Sequence, residues 1–356
     1  MASSSETVDP TVNVTRSTLA VVAEGWRRVA RFPTGLLALL LATSAATLPA
    51  AAMLASSIEE QLGDSLTAST VASGVDLRWW DEFSAQAGTR SFSPAIIGGA
   101  APVSTFADLL DGNGPPVEVL GALSLGLLVW TFLSGGLLDR YARRRRTGAR
   151  GFFGACGVFF FRFLRLGLLA GMAYAFLLGP AHAWLFDTVY PWVTRETSVE
   201  RTAFLWRLIF YAIWLTPVLL VNLVVDYAKV RAVVEDRHSV IGAAVAAGRF
   251  IARHPAAVAK VYGANATIAA VVLLAYIVIA PDGRGGDWRL LAALAVGGAY
   301  LLARLAVRLA FLTSAMALLE RTFAHAEYTA PPLPVWPDSP AAEAIENAAL
   351  VAGRGA

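Results

Sequence analysis

Residues 261–280 read VYGANATIAAVVLLAYIVIA, twenty positions without one charged side chain. A bilayer core of ~30 Å is crossed by ~20 helical residues, so this stretch has the length and chemistry of a membrane span. Five more apolar stretches of similar size lie at 34–56, 117–138, 166–186, 204–225 and 290–313. In lipid each backbone N–H and C=O must be satisfied inside the segment, which leaves the helix as the solution for such runs. The expected fold is an all-α membrane protein, six transmembrane helices in three hairpins.

Composition points the same way. Of 356 residues, 56% are hydrophobic and only 15% charged, against roughly 25% charged in soluble domains. A net charge of +3 would raise nucleic acid as a partner in a soluble protein. Here it is the Lys/Arg excess that cytoplasmic loops carry, and no nucleic-acid partner is expected. The single cysteine, Cys156, excludes an intrachain disulfide and any multi-cysteine metal centre.

The loops set the orientation. Arg16, Arg27, Arg28 and Arg31 precede the first span, and Arg140, Arg143, Arg144, Arg145, Arg146 and Arg150 follow the second. Lys229, Arg231, Arg237, Arg249, Arg253 and Lys260 lie between the fourth and fifth. These segments belong inside, and both termini are then cytoplasmic. The 57–116 segment, about 60 residues and too long for a simple turn, carries Glu59, Glu60, Asp64, Asp76, Asp81, Glu82, Asp108 and Asp111 against Arg78 and Arg90. It belongs outside. Three regions result: a cytoplasmic N-terminal segment with an interfacial helix at 1–33, a membrane domain at 34–320, and a proline-rich cytoplasmic tail at 321–356. The first apolar run is too long for a signal-peptide core, so it is expected to stay as an anchor. The expected location is the bacterial inner membrane, consistent with an Ala/Arg/Gly-rich composition.

A pattern recurs before the odd-numbered spans. Leu19, Val22, Trp26 and Val29 make an apolar stripe at helical spacing, ending in Ala30-Arg31-Phe32-Pro33. Val240, Ala244, Ala247 and Ile251 make a second, ending in Ala252-Arg253-His254-Pro255. Proline disfavours helix at the residue before it, so Arg-x-Pro reads as a break between a cytoplasmic surface helix and a span. Residues 152–165 are a third surface-helix candidate, without the proline. Gly121, Gly126, Gly135, Gly136, Gly167, Gly171, Gly297 and Gly298 read as small residues for close helix packing.

Ionisable residues at membrane depth are functional suspects. Arg304 and Arg308 stand one turn apart on one face of the sixth span, with Arg162 and Arg165 at similar depth in the third. They either reach inner headgroups and structural partners or bind an anionic headgroup or solute. Asp226, Lys229, Glu235, Asp236 and Arg237 follow the fourth span, and Asp226 is expected to pair with an arginine of span six or three. In the outer loop Trp79, Trp80, Glu82, Phe83 and Pro94 mark either a structural lid or a partner surface. No carboxylate is placed in the middle of a span, which lowers the proton-coupled carrier reading.

Catalytic motifs are missing from the sequence. His182, His238, His254 and His325 show no metal-ligand spacing, and neither a P-loop nor a Gly-x-Ser-x-Gly elbow occurs. Ser239 beside His238 reads as a helix cap. No cofactor and no enzymatic activity are expected.

The chain resembles an uncharacterised group of bacterial integral membrane proteins. The likeness rests on Gly25-Trp26-Arg27-Arg28-Val29, Trp79-Trp80-Asp81-Glu82-Phe83, Phe92-Ser93-Pro94-Ala95-Ile96-Ile97-Gly98, Asp226-Tyr227-Ala228-Lys229, Glu235-Asp236-Arg237 and Trp336-Pro337-Asp338-Ser339-Pro340-Ala341-Ala342-Glu343. It implies a six-helix inner-membrane protein with no assigned activity. The layout of surface helix plus hairpin is similar to the membrane domain of some glycerophosphodiester phosphodiesterases, a likeness of architecture alone. Residues 242–248, GAAVAAG, carry the alanines and final glycine of an importer permease's coupling motif but lack its glutamate. The expected role is a non-enzymatic accessory, assembly, lipid-binding or partner-binding protein, with the bilayer, an anionic lipid or another membrane protein as partner. The alternative is a permease-like transport component with an anion or headgroup site on the cytoplasmic side.

Overall fold

The computed structural model describes residues 10–63, 117–143, 148–280 and 287–329. Among these every regular element is a helix. The elements are α1 (Pro10–Ala30), α2 (Pro33–Leu62), α3 (Val117–Arg143) and α4 (Ala149–Phe176). Helix α4 runs through π-helical turns at Leu177–Ala181 and Trp184–Val189 into α5 (Tyr190–Thr194). Then follow α6 (Glu200–Val234), α7 (Val240–Arg253), α8 (Pro255–Ile279) and α9 (Asp287–Thr329). The chain divides into two compact units, Met1–Leu318 and Leu319–Ala356, and the second holds the last turns of α9.

Four helical stretches are long and apolar enough to cross a membrane: Ala149–Thr194, Glu200–Val234, Pro255–Ile279 and Leu291–Phe323. The number is five if the bent pair Thr18–Ala30 and Pro33–Pro49 is one span. The chain is thus a multi-pass helical membrane protein. Its helices run well past the apolar stretches that reveal them. Glu200–Val234 exceeds the expected 204–225 at both ends, and Ala149–Thr194 leaves only Arg195–Val199 of the expected 187–203 loop outside helix. Charged turns propagate as helix because each added residue brings one hydrogen bond, whatever the side chain's polarity. For the same reason Arg321 does not begin an irregular tail: α9 continues to Thr329. Most of the expected outer loop, with Trp79, Trp80, Glu82, Phe83 and Pro94, and nearly all of the proline-rich tail lie outside the described residues.

Both Arg-x-Pro sites break the helix where expected. Phe32 sits at φ −131, ψ 64 and His254 at φ −128, ψ 47, a nearly identical non-helical conformation before Pro33 and Pro255. Each proline then occupies the first helical turn, where its missing N–H costs nothing. The break after α1 turns the chain by 73°. The third candidate, 152–165, behaves differently. It lies inside an unbroken α4, because nothing in it opposes helix.

Helix α1 is more than a surface helix. Val21 and Val22 are packed with Val261 of α8 and Ala317 of α9, and Trp26, Ile268 and Leu318 close around them. The approach to α9 is tight at Gly25: a Cβ there would come within 2.8 Å of the Ser314 backbone nitrogen. Thr313 Oγ1 donates to the Gly25 carbonyl at 3.0 Å. Of the expected stripe Val22 and Val29 are buried and Trp26 is partly so, while Leu19 is exposed and Val21 and Arg28 are buried beside them. Gly136 plays the same part between α3 and α4, where a Cβ would meet the Phe152 carbonyl at 2.9 Å. By contrast Gly121, Gly126, Gly167, Gly171, Gly297 and Gly298 have no such neighbour within 4 Å among the described residues.

Burial concentrates toward the arginine-rich end, where α6 ends and α8 begins. From Asp226 to Val230 every residue of α6 is buried. In the other half of that helix Phe204, Leu205, Leu208, Ile209 and Ile213 are exposed. There the contacts are largely aromatic and lie against the π-helical turns. Pro180 has no N–H for the helix, the turns widen, and the Leu177 carbonyl accepts from Trp214 Nε1 at 2.8 Å. His182 stacks on Phe186, 4.5 Å between ring centroids, and meets Trp214 edge-on.

Candidate functional site

On α6, Asn222, Asp226 and Lys229 fall at spacings of four and three and share one face. Helix continuation past the apolar stretch carries this face into the bundle, where Asp226 is 2% exposed. Arg308 of α9 meets it with both terminal nitrogens. Nη2 donates to Oδ1 at 2.8 Å and Nη1 to Oδ2 at 2.9 Å. This is a bidentate, charge-assisted pair, and of the two partners expected for Asp226, span six or span three, it is span six. The Arg308 guanidinium lies 6.0 Å from the Trp130 ring of α3. Lys229 is buried as well, its Nζ 6.0 Å from the Phe163 ring of α4.

Helix α8 adds neutral polar groups. Asn222 Nδ2 donates to the Tyr262 hydroxyl. Asn265 is fully buried; its Nδ2 donates to the Val261 carbonyl at 3.1 Å, and its Oδ1 has no partner. These groups line a small pocket with Asp226, Tyr227 and Phe311, of about 10 Å³. That is the space of one water molecule. A much larger groove, about 280 Å³, lies between α8 and α9, and all its lining residues are apolar or tyrosine.

The remaining charged candidates form a separate cluster at the α6–α7 turn. Arg162 of α4 donates to Asp236 at 2.7 Å and to His238 Nδ1 at 2.9 Å. The hydrogen bond from Arg162 holds the Asp236 carboxyl below the usual carboxylate range. Asp236 has φ 47, the left-handed region that Asp tolerates better than most residues. Glu235 pairs with Arg231 at 2.6 Å and with Arg237. Arg231 also donates to the Ala246 carbonyl at 2.6 Å, tying α6 to α7. Ser239 caps α7, its hydroxyl accepting from the Gly242 N–H at 3.1 Å.

The nine candidate residues therefore divide. Asp226, Arg308 and Lys229 meet in the bundle. Arg162, Glu235, Asp236 and Arg237 build the turn. Arg165 and Arg304 are exposed and stand apart from both groups, so Arg304 and Arg308 do not act as a pair. Sequence reasoning missed Asn222, Tyr262, Asn265 and Trp130. The one usable signal was the helical spacing of Asn222, Asp226 and Lys229, hidden by ending the span at 225. It also missed Asp139, buried on α3 and bonded to Arg143 at 2.6 Å. Among the described residues no group of acids, histidines and cysteine is arranged to hold a metal.

No protein-family model, curated protein or solved structure matches this chain.

Proposed function

We propose that this is a non-enzymatic accessory or assembly protein of the bacterial inner membrane. In this reading six helices span the bilayer, α2 and α3 among them, both termini face the cytoplasm, and the protein works by binding a partner within the membrane. The resemblance to uncharacterised six-helix membrane proteins agrees with it. What carries the reading is the small volume of the polar pocket beside Asp226. The pocket beside Asp226 holds about 10 Å³, room for one water and for no solute. A permease should have a polar, water-filled path at that depth. Instead Asp226 and Arg308 form an ion pair across α6 and α9, which fixes the register of two helices.

The test is thiol accessibility along α9. On a Cys156→Ser background, single cysteines at Leu301, Leu305, Leu309 and Leu312 are challenged with a membrane-impermeant reagent in inside-out and right-side-out vesicles. The expected result is protection from both sides. Labelling of a continuous face would mean that water reaches the Asp226–Arg308 pair, and the transport reading would replace this one.

A further inference from the structure

Arg304 is exposed on α9, and among the described residues no carboxylate is within ion-pair reach of it. The residue one turn on, Arg308, is already paired with Asp226. Its depth follows from two ring contacts between α8 and α9. Tyr276 stacks on Tyr300 at 4.1 Å, and Tyr262 meets Phe311 at 4.7 Å. These contacts set the helices antiparallel and put Arg304 level with about Val271. From Lys260, the last charged residue of α8, Val271 is ~16 Å along the helix. That is about half of a ~30 Å bilayer core. Counted from Lys260, Arg304 is thus at about mid-membrane depth, exposed on α9.

A lone guanidinium there is costly and calls for an anionic neighbour. The apolar groove between α8 and α9 ends beside it at Ala303, with Val296 and Tyr300 on the same face two turns and one turn back. Ala275, Ala299 and Ala303 keep the groove shallow-walled and open to close approach. We infer that the α8–α9 face around Arg304 docks a transmembrane helix of another protein that carries a carboxylate at mid-membrane depth. The inference rests on the partner-binding reading above and names the chemistry of the partner.

Depth and charge select this occupant over two others. A headgroup phosphate sits about half a core thickness away, ~15 Å, beyond what one snorkelling side chain spans. Among the described residues a second copy of this chain offers no match: the exposed acids Glu59, Asp187, Glu196, Glu200 and Asp236 lie in end turns or connecting segments. Tyr276 and Tyr300 can flank the incoming carboxylate at the groove's edge.

The probe is a fluorescent Leu/Ala transmembrane peptide with one central Glu, compared with its Gln counterpart. Energy transfer to the labelled full-length protein is measured in phosphatidylcholine vesicles. The Glu peptide should bind about tenfold more tightly than the Gln peptide, the scale of one desolvated ion pair. Arg304→Leu should erase that advantage, Arg304→Lys should keep most of it, and Ala299→Phe should weaken both peptides by filling the groove. Equal binding of the two peptides, or an advantage that survives Arg304→Leu, overturns the inference. So does loss of the advantage in vesicles rich in phosphatidylglycerol, which would assign Arg304 to lipid phosphate. Arg304-dependent self-association of the protein would overturn it too, in favour of a second copy. Each readout is independent of thiol accessibility near Arg308, so the two proposals fail separately.

Discussion

Asp226 shows how one side chain changes meaning with its surroundings. Read in the chain, it is the first charge after an apolar run. In the fold it is buried and doubly bonded to Arg308, which remains partly exposed. Breaking a buried pair from one side strands a charge, at a cost of about 3–5 kcal/mol. Asp226→Asn should therefore lower the melting temperature of the detergent-solubilised protein markedly. Pairing it with Arg308→Met should restore part of the loss, because Arg308 is then no longer stranded and only buried Lys229 is left without its anion. A thermal double-mutant cycle checks this. An additive result would mean that the pair is not a coupled unit.

At the scale of the element, the informative events are where helices break and where they touch. Proline disfavours helix at its predecessor, and the breaks at Phe32 and His254 were legible from Arg-x-Pro, although α2 and α6 continue through Pro49 and Pro217. Contact is a different matter. Gly25 looked like one residue in a surface stripe, yet the Gly25 carbonyl receives Thr313 and its missing Cβ admits the α9 backbone. The partner is 288 positions away in sequence, and no local pattern encodes that. Gly25→Val should push α1 off α9 and destabilise the protein by about 1–3 kcal/mol, the usual range for overpacking. Gly167→Val, with open space around it, should be close to neutral in the same unfolding assay.

For the whole molecule, burial is uneven along the membrane normal. Trp214 is 3% exposed and Trp206, two turns earlier on α6, is 38% exposed. In the bilayer the second should touch acyl chains and the first should not. In vesicles of brominated lipid, a protein retaining only Trp206 should be strongly quenched and one retaining only Trp214 weakly. Similar quenching would mean that the far half of the bundle is closed by packing. The open half is also where Arg304 and the α8–α9 groove lie, so the surface available to a partner belongs to the molecule and to no single helix.

The sequence by itself determined the solvent, the helical class, the approximate place of each apolar stretch and the two proline breaks. These follow from composition, length and backbone sterics, which act over a few residues or a single helix. Even the pairing of Asp226 was within reach, since few cationic side chains, Arg304 and Arg308 among them, fall inside the expected spans. Tertiary structure alone decided that Arg308 and not Arg304 takes that acid, that Asn265 and Tyr262 join it from α8, and that α1 is locked against α9. Two residues one turn apart are equivalent along a helix. They become different when a neighbouring helix crosses at one angle and depth, and that crossing is fixed by packing summed over the whole bundle.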